Sequence, residues 1–217
     1  MRVAKLLEEH YNTPRPAPPG RVDPLEVLVL TILSQNTNDL NRDRAMARLM
    51  NRFPTWDDVA RSNRRSLEAA IRVGGLARQK SERIKEILRW VKSTFGEYSL
   101  AELENMPTDR AHEMLMNLKG VGPKTAAIVL LFAFGRPVFP VDTHIHRVTT
   151  RLGLLDKGTS AAAAHEILGN LFPPENFYSI HMNIIGHGRE VCHARNPHCG
   201  GCFLAEICPW PGKNDGK

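Results

Sequence analysis

Four cysteines confined to the C-terminal end constrain the fold of this 217-residue chain more than any other feature. They are Cys192, Cys199, Cys202 and Cys208, and the 191 residues before them contain none. A disulfide framework would spread its cysteines along the chain, and thiols inside a cell are kept reduced. The clustering therefore predicts one metal site. Four thiolates suit an iron–sulfur cluster or zinc, although only Cys199 and Cys202 form the Cys-x-x-Cys pair that structural zinc sites usually contain twice.

The remaining sequence has the periodicity of helices, and the alternation typical of strands is nearly absent. Asp23 followed by Pro24 is a typical start for the apolar segment that comes next. Residues 79–96 place apolar side chains on one helical face and charges on the opposite face. The sequence therefore predicts an all-α protein.

Two proline-marked connections divide these predicted helices into two domains. The first connection is "TPRPAPPG" at residues 13–20, and the second is "RPVFP" at residues 136–140. We expect one helical domain over residues 23–136. Residues 1–22 and 137–217 would form the second domain, which carries the metal site.

The composition indicates a folded protein with an anionic partner. Hydrophobic residues make up 42% of the chain, which is enough for a packed core. Lys and Arg outnumber Asp and Glu by 29 to 23, and this net charge of +6 makes nucleic acid the first candidate partner. The N-terminus lacks an apolar signal segment, and the longest apolar run, residues 126–134, is too short to span a bilayer. We expect a soluble, cytoplasmic protein, associated with the nucleoid if the source is prokaryotic.

The stretch "LKGVGPKTA", residues 118–126, predicts a tight hairpin between two helices. Glycine permits such a reversal, and proline suits the first turn of the second helix. The N–H groups of Gly120 and Gly122 would then point outward at a helix N-terminus, where phosphate binds. A corner without a ligand has the same pattern. Lys124 falls in the first turn, where the helix dipole disfavours a cation, so it is either an amine nucleophile or a surface lysine that contacts phosphate.

Asp142, in "FPVDTHIHRV", follows Lys124 by eighteen residues and precedes another helical segment. The commonest role of such an aspartate is to cap the helix. A carboxylate that faces the same cleft as Lys124 could also accept its proton. It could then stabilise the positive charge that develops on a deoxyribose as its base departs.

These motifs resemble those of the helix-hairpin-helix DNA glycosylase superfamily, and within it the endonuclease III family. The resemblance rests on "LKGVGPKTA", on "VDTHIHRV" and on cysteines separated by six, two and five residues. It implies an all-α fold of two domains with a DNA cleft and a C-terminal [4Fe–4S] cluster held by the four cysteines. It also implies that Lys124 is the nucleophile and Asp142 the essential carboxylate. The enzyme would excise oxidised pyrimidines and cleave the strand 3′ to the abasic site by β-elimination, after turning the nucleotide out of the duplex.

The resemblance also implies DNA-binding positions. Gln35 or Asn36 would bond to the base left unpaired by the flipped nucleotide, unless this loop only bonds to its own backbone. Leu76 would be a wedge between stacked bases, although a core leucine is the alternative. The other expected contacts come from residues that could equally be solvated or structural: Arg78, Lys80, Gly120, Val121, Gly122, His144 and Arg195. The partner would be double-stranded DNA with damaged bases or abasic sites, bound by a monomer.

Two departures from the best-known members leave the preferred lesion open. Ala77 stands where those members have tyrosine, and Asn183 where they have tryptophan. A mismatch- or uracil-directed glycosylase of the same fold is therefore an alternative. A second alternative is a non-catalytic DNA-binding redox sensor, in which Lys124 only contacts phosphate.

Overall fold

The computed structural model describes residues 1–13 and 22–214, and in these residues all regular structure is helical. The predicted all-α class is confirmed. The connection predicted at residues 13–20 lies, except for Thr13, outside the described residues. The α-helices in the described part are α1 (Arg2–Tyr11), α2 (Pro24–Ser34), α3 (Asp39–Arg52), α4 (Trp56–Arg61), α5 (Arg64–Ile71), α6 (Ala77–Phe95), α7 (Thr108–Met116), α8 (Pro123–Phe134), α9 (Thr143–Arg151), α10 (Ala161–Leu171) and α11 (Phe177–Glu190).

The chain divides into two compact units. Pro18–Arg136 form one, here called the central unit, and Met1–Ala17 with Pro137–Lys217 form the other, the terminal unit. Over residues 1–13 and 22–214, no helix is both long and apolar enough to cross a membrane.

The central unit is built around two helices that are apolar on nearly every face, α2 and α8. The Asp23 carboxylate accepts a hydrogen bond from Leu25 N at 2.9 Å, so it caps α2 as its sequence position predicts. Leu28 of α2 and Leu130 of α8 are completely buried, and full burial of such a side chain contributes about 1.5–3 kcal/mol. These two helices pack on each other and hold α3, α6 and α7 around them.

Helix α6 closes the central unit with an amphipathic face. Its buried side chains include Ile84, Leu88 and Val91, while most of its charged residues lie on the other side. The helix starts after Leu76 and ends at Gly96, whose left-handed conformation (φ 77°) terminates it. Leu76 is itself left-handed (φ 48°), which is unusual for a leucine.

The terminal unit packs α11 between α1 and α9. Phe139 lies at its core, with ring centroids 5.3 Å from Phe172 and 5.2 Å from Phe177. A series of short turns after α11 contains all four cysteines. The described end of the chain is a 3-10 turn, Pro211–Asn214.

Candidate active site and metal centre

The hairpin between α7 and α8, residues 117–122, has the form that its sequence predicts. Gly120 is left-handed (φ 86°), Gly122 is the N-cap of α8, and Pro123 is its first residue. The amides of Gly120, Gly122 and Lys124 donate to no acceptor in the described part of the chain. They are therefore free to donate to an anion at the N-terminus of α8, as phosphate sites require.

Val121 does not contribute an amide to this site. Its N–H donates to Leu118 O at 3.0 Å, and its side chain is buried. The prediction that Val121 contacts DNA is therefore wrong: its N–H closes the turn and its side chain anchors the hairpin to the core.

The hairpin is tied to α6 and to the end of α2 through Gln35. Gln35 Nε2 donates to Gly120 O at 3.0 Å, and Gln35 Oε1 accepts from Arg83 Nη1 at 2.5 Å. Both ends of the Gln35 amide are thus engaged within the protein. Arg83 was not predicted from the sequence, where it is one of several charges on the polar side of α6.

Lys124 is the second residue of α8 and is half-buried. Among residues 1–13 and 22–214 its ammonium has no hydrogen-bond or ion-pair partner. Asp142, in the terminal unit, caps α9 by accepting from Ile145 N at 2.8 Å through Oδ1. This confirms the capping role that its position predicts. The cap engages one carboxylate oxygen, and Oδ2 accepts no hydrogen bond from the described residues.

Two neighbouring turns of the central unit carry exposed residues with left-handed backbone. Asn36, just after α2, is exposed and left-handed (φ 52°). Leu76, just before α6, is left-handed as well, and 48% of its surface is exposed. A left-handed non-glycine residue costs about 1–2 kcal/mol, and an exposed leucine recovers none of this by burial. Leu76 is therefore not a core residue, and its backbone strain together with its exposure suggests a functional role.

The two cations that follow Leu76 have different environments. Arg78 is exposed and lies 3.5 Å from Glu82, so its position is compatible with the predicted phosphate contact. Lys80 is completely buried, with 0% of its surface exposed. Its ammonium donates to Leu33 O and Gly74 O, both at 2.7 Å. The prediction that Lys80 contacts phosphate is wrong, because these two carbonyls hold its charge inside the protein.

Burial lowers the pKa of Lys80 to about 8, and the nearby Arg83 guanidinium adds to the effect. Because desolvation disfavours the charged form of a lysine, such a group is placed in a core only where polar atoms receive it. Here those atoms are the carbonyls at the end of α2 and at the end of the 3-10 turn Arg72–Gly74.

His144 lies at the contact between α9 and α11. Its Nδ1 accepts from Arg147 Nη2 at 3.1 Å, and Arg147 also donates to Gly188 O. Burial, as the largest cause, lowers the pKa of His144. One ring nitrogen of this predicted DNA contact is thus committed to holding Arg147.

The four cysteines line one small cavity, together with Arg151, His187 and Trp210. None of these four cysteines forms a disulfide. The four sulfurs around a tetrahedral zinc ion lie about 3.8 Å apart. No three His, Cys, Asp or Glu side chains in the described part of the chain are grouped to hold a single metal ion. A cavity lined by four thiols fits an iron–sulfur cluster, whose usual ligands are four cysteine thiolates.

Arg151 fixes the loop between the first two cysteines. Its guanidinium donates to Cys192 Sγ at 3.3 Å, to His193 O at 2.6 Å and to Ala194 O at 3.1 Å. It also lies 4.1 Å from the centre of the Trp210 ring. Arg195, the predicted phosphate contact, follows this anchored segment and is exposed. Arg151 could not be predicted from the sequence beyond its place on a helix near the cysteines.

Comparison with known proteins agrees with these motifs. The family of HhH-GPD superfamily base excision DNA repair proteins matches residues 29–174, and the iron–sulfur binding domain of endonuclease III matches residues 192–208. Endonuclease III of Thermotoga maritima is 37% identical over 186 residues, which cover 86% of this chain and 83% of that protein.

Two solved structures are similar over almost the whole chain. A non-covalent endonuclease III–DNA complex has a TM-score of 0.85 at 29% identity and covers 100% of this chain and 96% of that one. A trapped endonuclease III–DNA covalent intermediate has a TM-score of 0.81 at 29% identity, with coverages of 95% and 92%. The resemblance found in the sequence is therefore confirmed, and the chain belongs to the endonuclease III family of the helix-hairpin-helix DNA glycosylase superfamily.

Proposed function

We propose that Lys124 and Asp142 are the catalytic residues of this protein, which is a bifunctional DNA glycosylase of base excision repair. The observation that carries the assignment is the amine of Lys124, which has no partner among the described residues and follows two hairpin amides, of Gly120 and Gly122, that also donate to none of them. A phosphate held by those amides would bring a sugar close to this amine. Neither the redox sensor nor the mismatch-directed enzyme accounts for these features better.

The reaction follows from the nucleophilicity of a neutral amine. Lys124 Nζ bonds to C1′ of the flipped nucleotide while the bond from C1′ to the base breaks, and the base leaves with the bonding electrons and takes up a proton. The bonded nitrogen then loses one proton to a base. Its lone pair forms the C1′=N bond while the C1′–O4′ bond breaks and O4′ takes up a proton, which opens the ring and leaves a protonated Schiff base. Loss of a proton from C2′ expels the 3′ phosphate and cleaves the strand.

Asp142 contributes a fixed negative charge to the first step. Its Oδ1 is held by the cap of α9, so the carboxylate has a defined orientation while Oδ2 can act. We propose that Oδ2 acts as a base in this step and stabilises the positive charge that develops on the sugar. The role is thus electrostatic, and a neutral side chain of the same shape should not replace it.

We assign the unpaired-base contact to Asn36 rather than to Gln35. Both polar atoms of Gln35 are engaged, by Gly120 and by Arg83, whereas Asn36 is exposed. Leu76 would part the stacked bases beside it, and Arg78 and Arg195 would contact phosphates. Gln35 then has a different role, which is to hold the loop to the hairpin.

The protein carries a [4Fe–4S] cluster, and Cys192, Cys199, Cys202 and Cys208 are the residues that hold it. When bound, the cluster supplies a four-point crosslink for the C-terminal segment and an electron-transfer capacity that the base-excision steps do not need. Arg151 orients the first of these ligands and the loop that carries Arg195. Since the substrate is DNA, we place the enzyme in the compartment that holds the chromosome.

Trapping of the Schiff base with borohydride on abasic-site DNA tests the assignment. Wild-type protein loaded with its cluster should form a covalent adduct, and Lys124→Ala should form none. Lys119→Ala is the matched control, because Lys119 lies on the same hairpin but is exposed and paired with Glu86. A wild-type protein that forms no adduct would refute the lyase, and an adduct lost only in Lys119→Ala would move the nucleophile to that residue.

A panel of duplexes with single defined lesions tests the substrate class. Oxidised pyrimidines should be excised faster than uracil or a mismatched thymine. Asn183, which replaces the family's tryptophan, is buried and bonded to Thr13, so it belongs to the packing of α1 on α11. Faster excision of uracil or mismatched thymine would contradict this substrate class and support the mismatch- or uracil-directed alternative.

A further inference from the structure

Lys80 is a buried cation that the proposed chemistry does not use. It is completely buried, and its ammonium bonds to one carbonyl from each of two separate segments, Leu33 of α2 and Gly74 of the 3-10 turn. Its backbone N–H also donates to Leu76 O at 2.9 Å. One residue thus holds the chain on both sides of the Leu76 turn and, at the same time, the end of α2.

These bonds lie immediately before the Asn36 turn and the Leu76 turn. Leu33 precedes Asn36 by three residues, and Gly74 precedes Leu76 by two. The turns are also close to each other, since a Cβ added at Gly75 would lie 3.9 Å from Asn36 O. Any change in the length of the Lys80 bridge would therefore change the spacing between the side chains of Asn36 and Leu76.

We propose that Lys80 is a positioning residue that holds the Asn36 and Leu76 turns at a fixed spacing, so that both enter the DNA together. This inference rests on the proposed function, in which Asn36 contacts the unpaired base and Leu76 is the wedge. The left-handed backbone of Leu76 persists only where surrounding bonds enforce it, and Lys80 supplies two of those bonds, from its ammonium to Gly74 O and from its backbone N–H to Leu76 O. An apolar side chain would leave both carbonyls buried without a donor.

Arg83 extends the same connection by one helical turn. Through Gln35 it reaches Gly120 of the hairpin, so α6 is bonded to three segments that the proposed function places against DNA. Packing alone does not require a lysine at position 80, because apolar residues of similar volume serve in a core at lower desolvation cost. The ammonium is retained for the two carbonyls.

The test compares binding to a duplex that contains an uncleavable tetrahydrofuran abasic analogue with binding to the same duplex undamaged. A 2-aminopurine placed next to the analogue reports unstacking through its fluorescence. Lys80→Met should lower the preference for the analogue duplex about tenfold and reduce the fluorescence increase. Affinity for undamaged DNA, which depends on phosphate contacts, should change by less than about twofold, with the same salt slope.

Val91→Ala is the matched control, because Val91 is completely buried in the same helix but makes no bond to either turn. It should lower Tm and leave the preference for the analogue unchanged. If Val91→Ala reduces that preference as much as Lys80→Met at equal loss of Tm, Lys80 is only a structural residue. A salt slope smaller by about one in Lys80→Met would show instead that Lys80 contacts a phosphate.

A second pair of variants keeps the test decisive if Lys80→Met does not fold. A Cβ at Gly74 would lie 3.1 Å from Ala45 Cβ, so Gly74→Ala should push the Gly74 carbonyl away from Lys80. The preference for the analogue should fall in Gly74→Ala and recover when Ala45→Gly is added. Full preference in the single variant would overturn the proposal. Borohydride trapping on single-stranded abasic DNA, which needs neither turn, separates this failure from failure of the proposed function.

Discussion

Substitution by alanine should affect different properties at the two glycines of the hairpin, Gly120 and Gly122. Gly120 has φ 86°, and a Cβ there would lie 2.5 Å from Arg83 Nε and 2.6 Å from Arg83 Cδ. Gly122 has φ −104°, and a Cβ there would meet nothing within 4 Å. The structure therefore predicts a loss of stability at Gly120 and a loss of DNA binding at Gly122.

The cost at Gly120 has two parts. An alanine in the left-handed region costs about 1–2 kcal/mol. Displacement of Arg83 would also break its bond to Gln35, and a half-buried, charged hydrogen bond of this kind contributes about 1 kcal/mol. A total of about 2–3 kcal/mol lowers Tm by roughly 5–10 °C in a protein of this size.

The cost at Gly122 lies in the complex with DNA. A methyl group would stand at the mouth of the amides that the proposed site offers to phosphate. Loss of one or two charge-assisted bonds of about 1.5–3 kcal/mol weakens binding by about tenfold or more. The change of N-cap from glycine to alanine costs less than about 1 kcal/mol, so Tm should fall by only about 3 °C or less.

Thermal unfolding followed by circular dichroism and binding measured by fluorescence anisotropy give the two quantities on the same samples. An equal fall in Tm in both variants would show that the left-handed backbone and the Arg83 contact have no effect. The second contradicting result is that Gly122→Ala binds abasic-site DNA as tightly as wild type. That result would show that the hairpin amides do not receive a phosphate.

Three further predictions concern Asp142, Lys80 and the iron–sulfur cluster. Asp142→Asn should keep Tm, because asparagine caps helices as well as aspartate, but it should lose most base excision. Asp142→Ala should lose about 1 kcal/mol of stability in addition. Equal turnover in Asp142→Asn and wild type would show that Asp142 is only a helix cap. The pKa of Lys80 is about 8 in the folded protein and 10.5 in the unfolded chain. Between pH 8 and 10.5 the unfolded chain therefore binds one more proton than the folded protein. Stability of wild type relative to Lys80→Met should therefore rise by up to about 1.4 kcal/mol per unit from pH 8 to 10, and a flat Tm difference would contradict the lowered pKa that burial and Arg83 produce. Purified protein should absorb broadly near ~400 nm, and Cys202→Ser should lose this band and lower Tm, while zinc in place of iron would disprove the cluster.

The local features of this fold were predictable from the sequence because each depends on neighbouring residues. Asp23 and Pro24 mark the start of α2, and the glycines of the hairpin and Pro123 mark the start of α8. The spacing of the cysteines likewise gave the metal site, since a cluster loop is short. The cap formed by Asp142 is of the same kind, because its acceptor and donor are three residues apart.

The errors have a different origin, which is the position of a residue in three dimensions. Lys80 was expected to contact phosphate because it follows a glycine-rich turn on a charged helix, and nothing nearby indicates the carbonyls of Leu33 and Gly74. Val121 was expected to contact DNA because the hairpin sequence does not show which N–H closes the turn. The role of Arg83 could not be predicted either, because its hydrogen bond to Gln35 spans 48 residues of sequence.

A common physical rule accounts for the cations that the sequence could not place. Lys80 bonds to the carbonyls that end α2 and a 3-10 turn, and Lys85 bonds to Ala60 O and Ser62 O at the end of α4. Arg136 donates to Leu103 O and Glu104 O in the 3-10 turn Ala101–Asn105.

The C-terminal end of a helix carries unpaired carbonyls and partial negative charge, so a cation satisfies both at once. Several positive charges of this chain are therefore internal caps rather than DNA contacts. The net charge of +6 overstates the charge available to phosphate, and the salt dependence of DNA binding should follow only the exposed cations, such as Arg78 and Arg195. A salt slope that decreases when Lys85 or Arg136 is neutralised in a stably folded variant would contradict this division between internal and external charge.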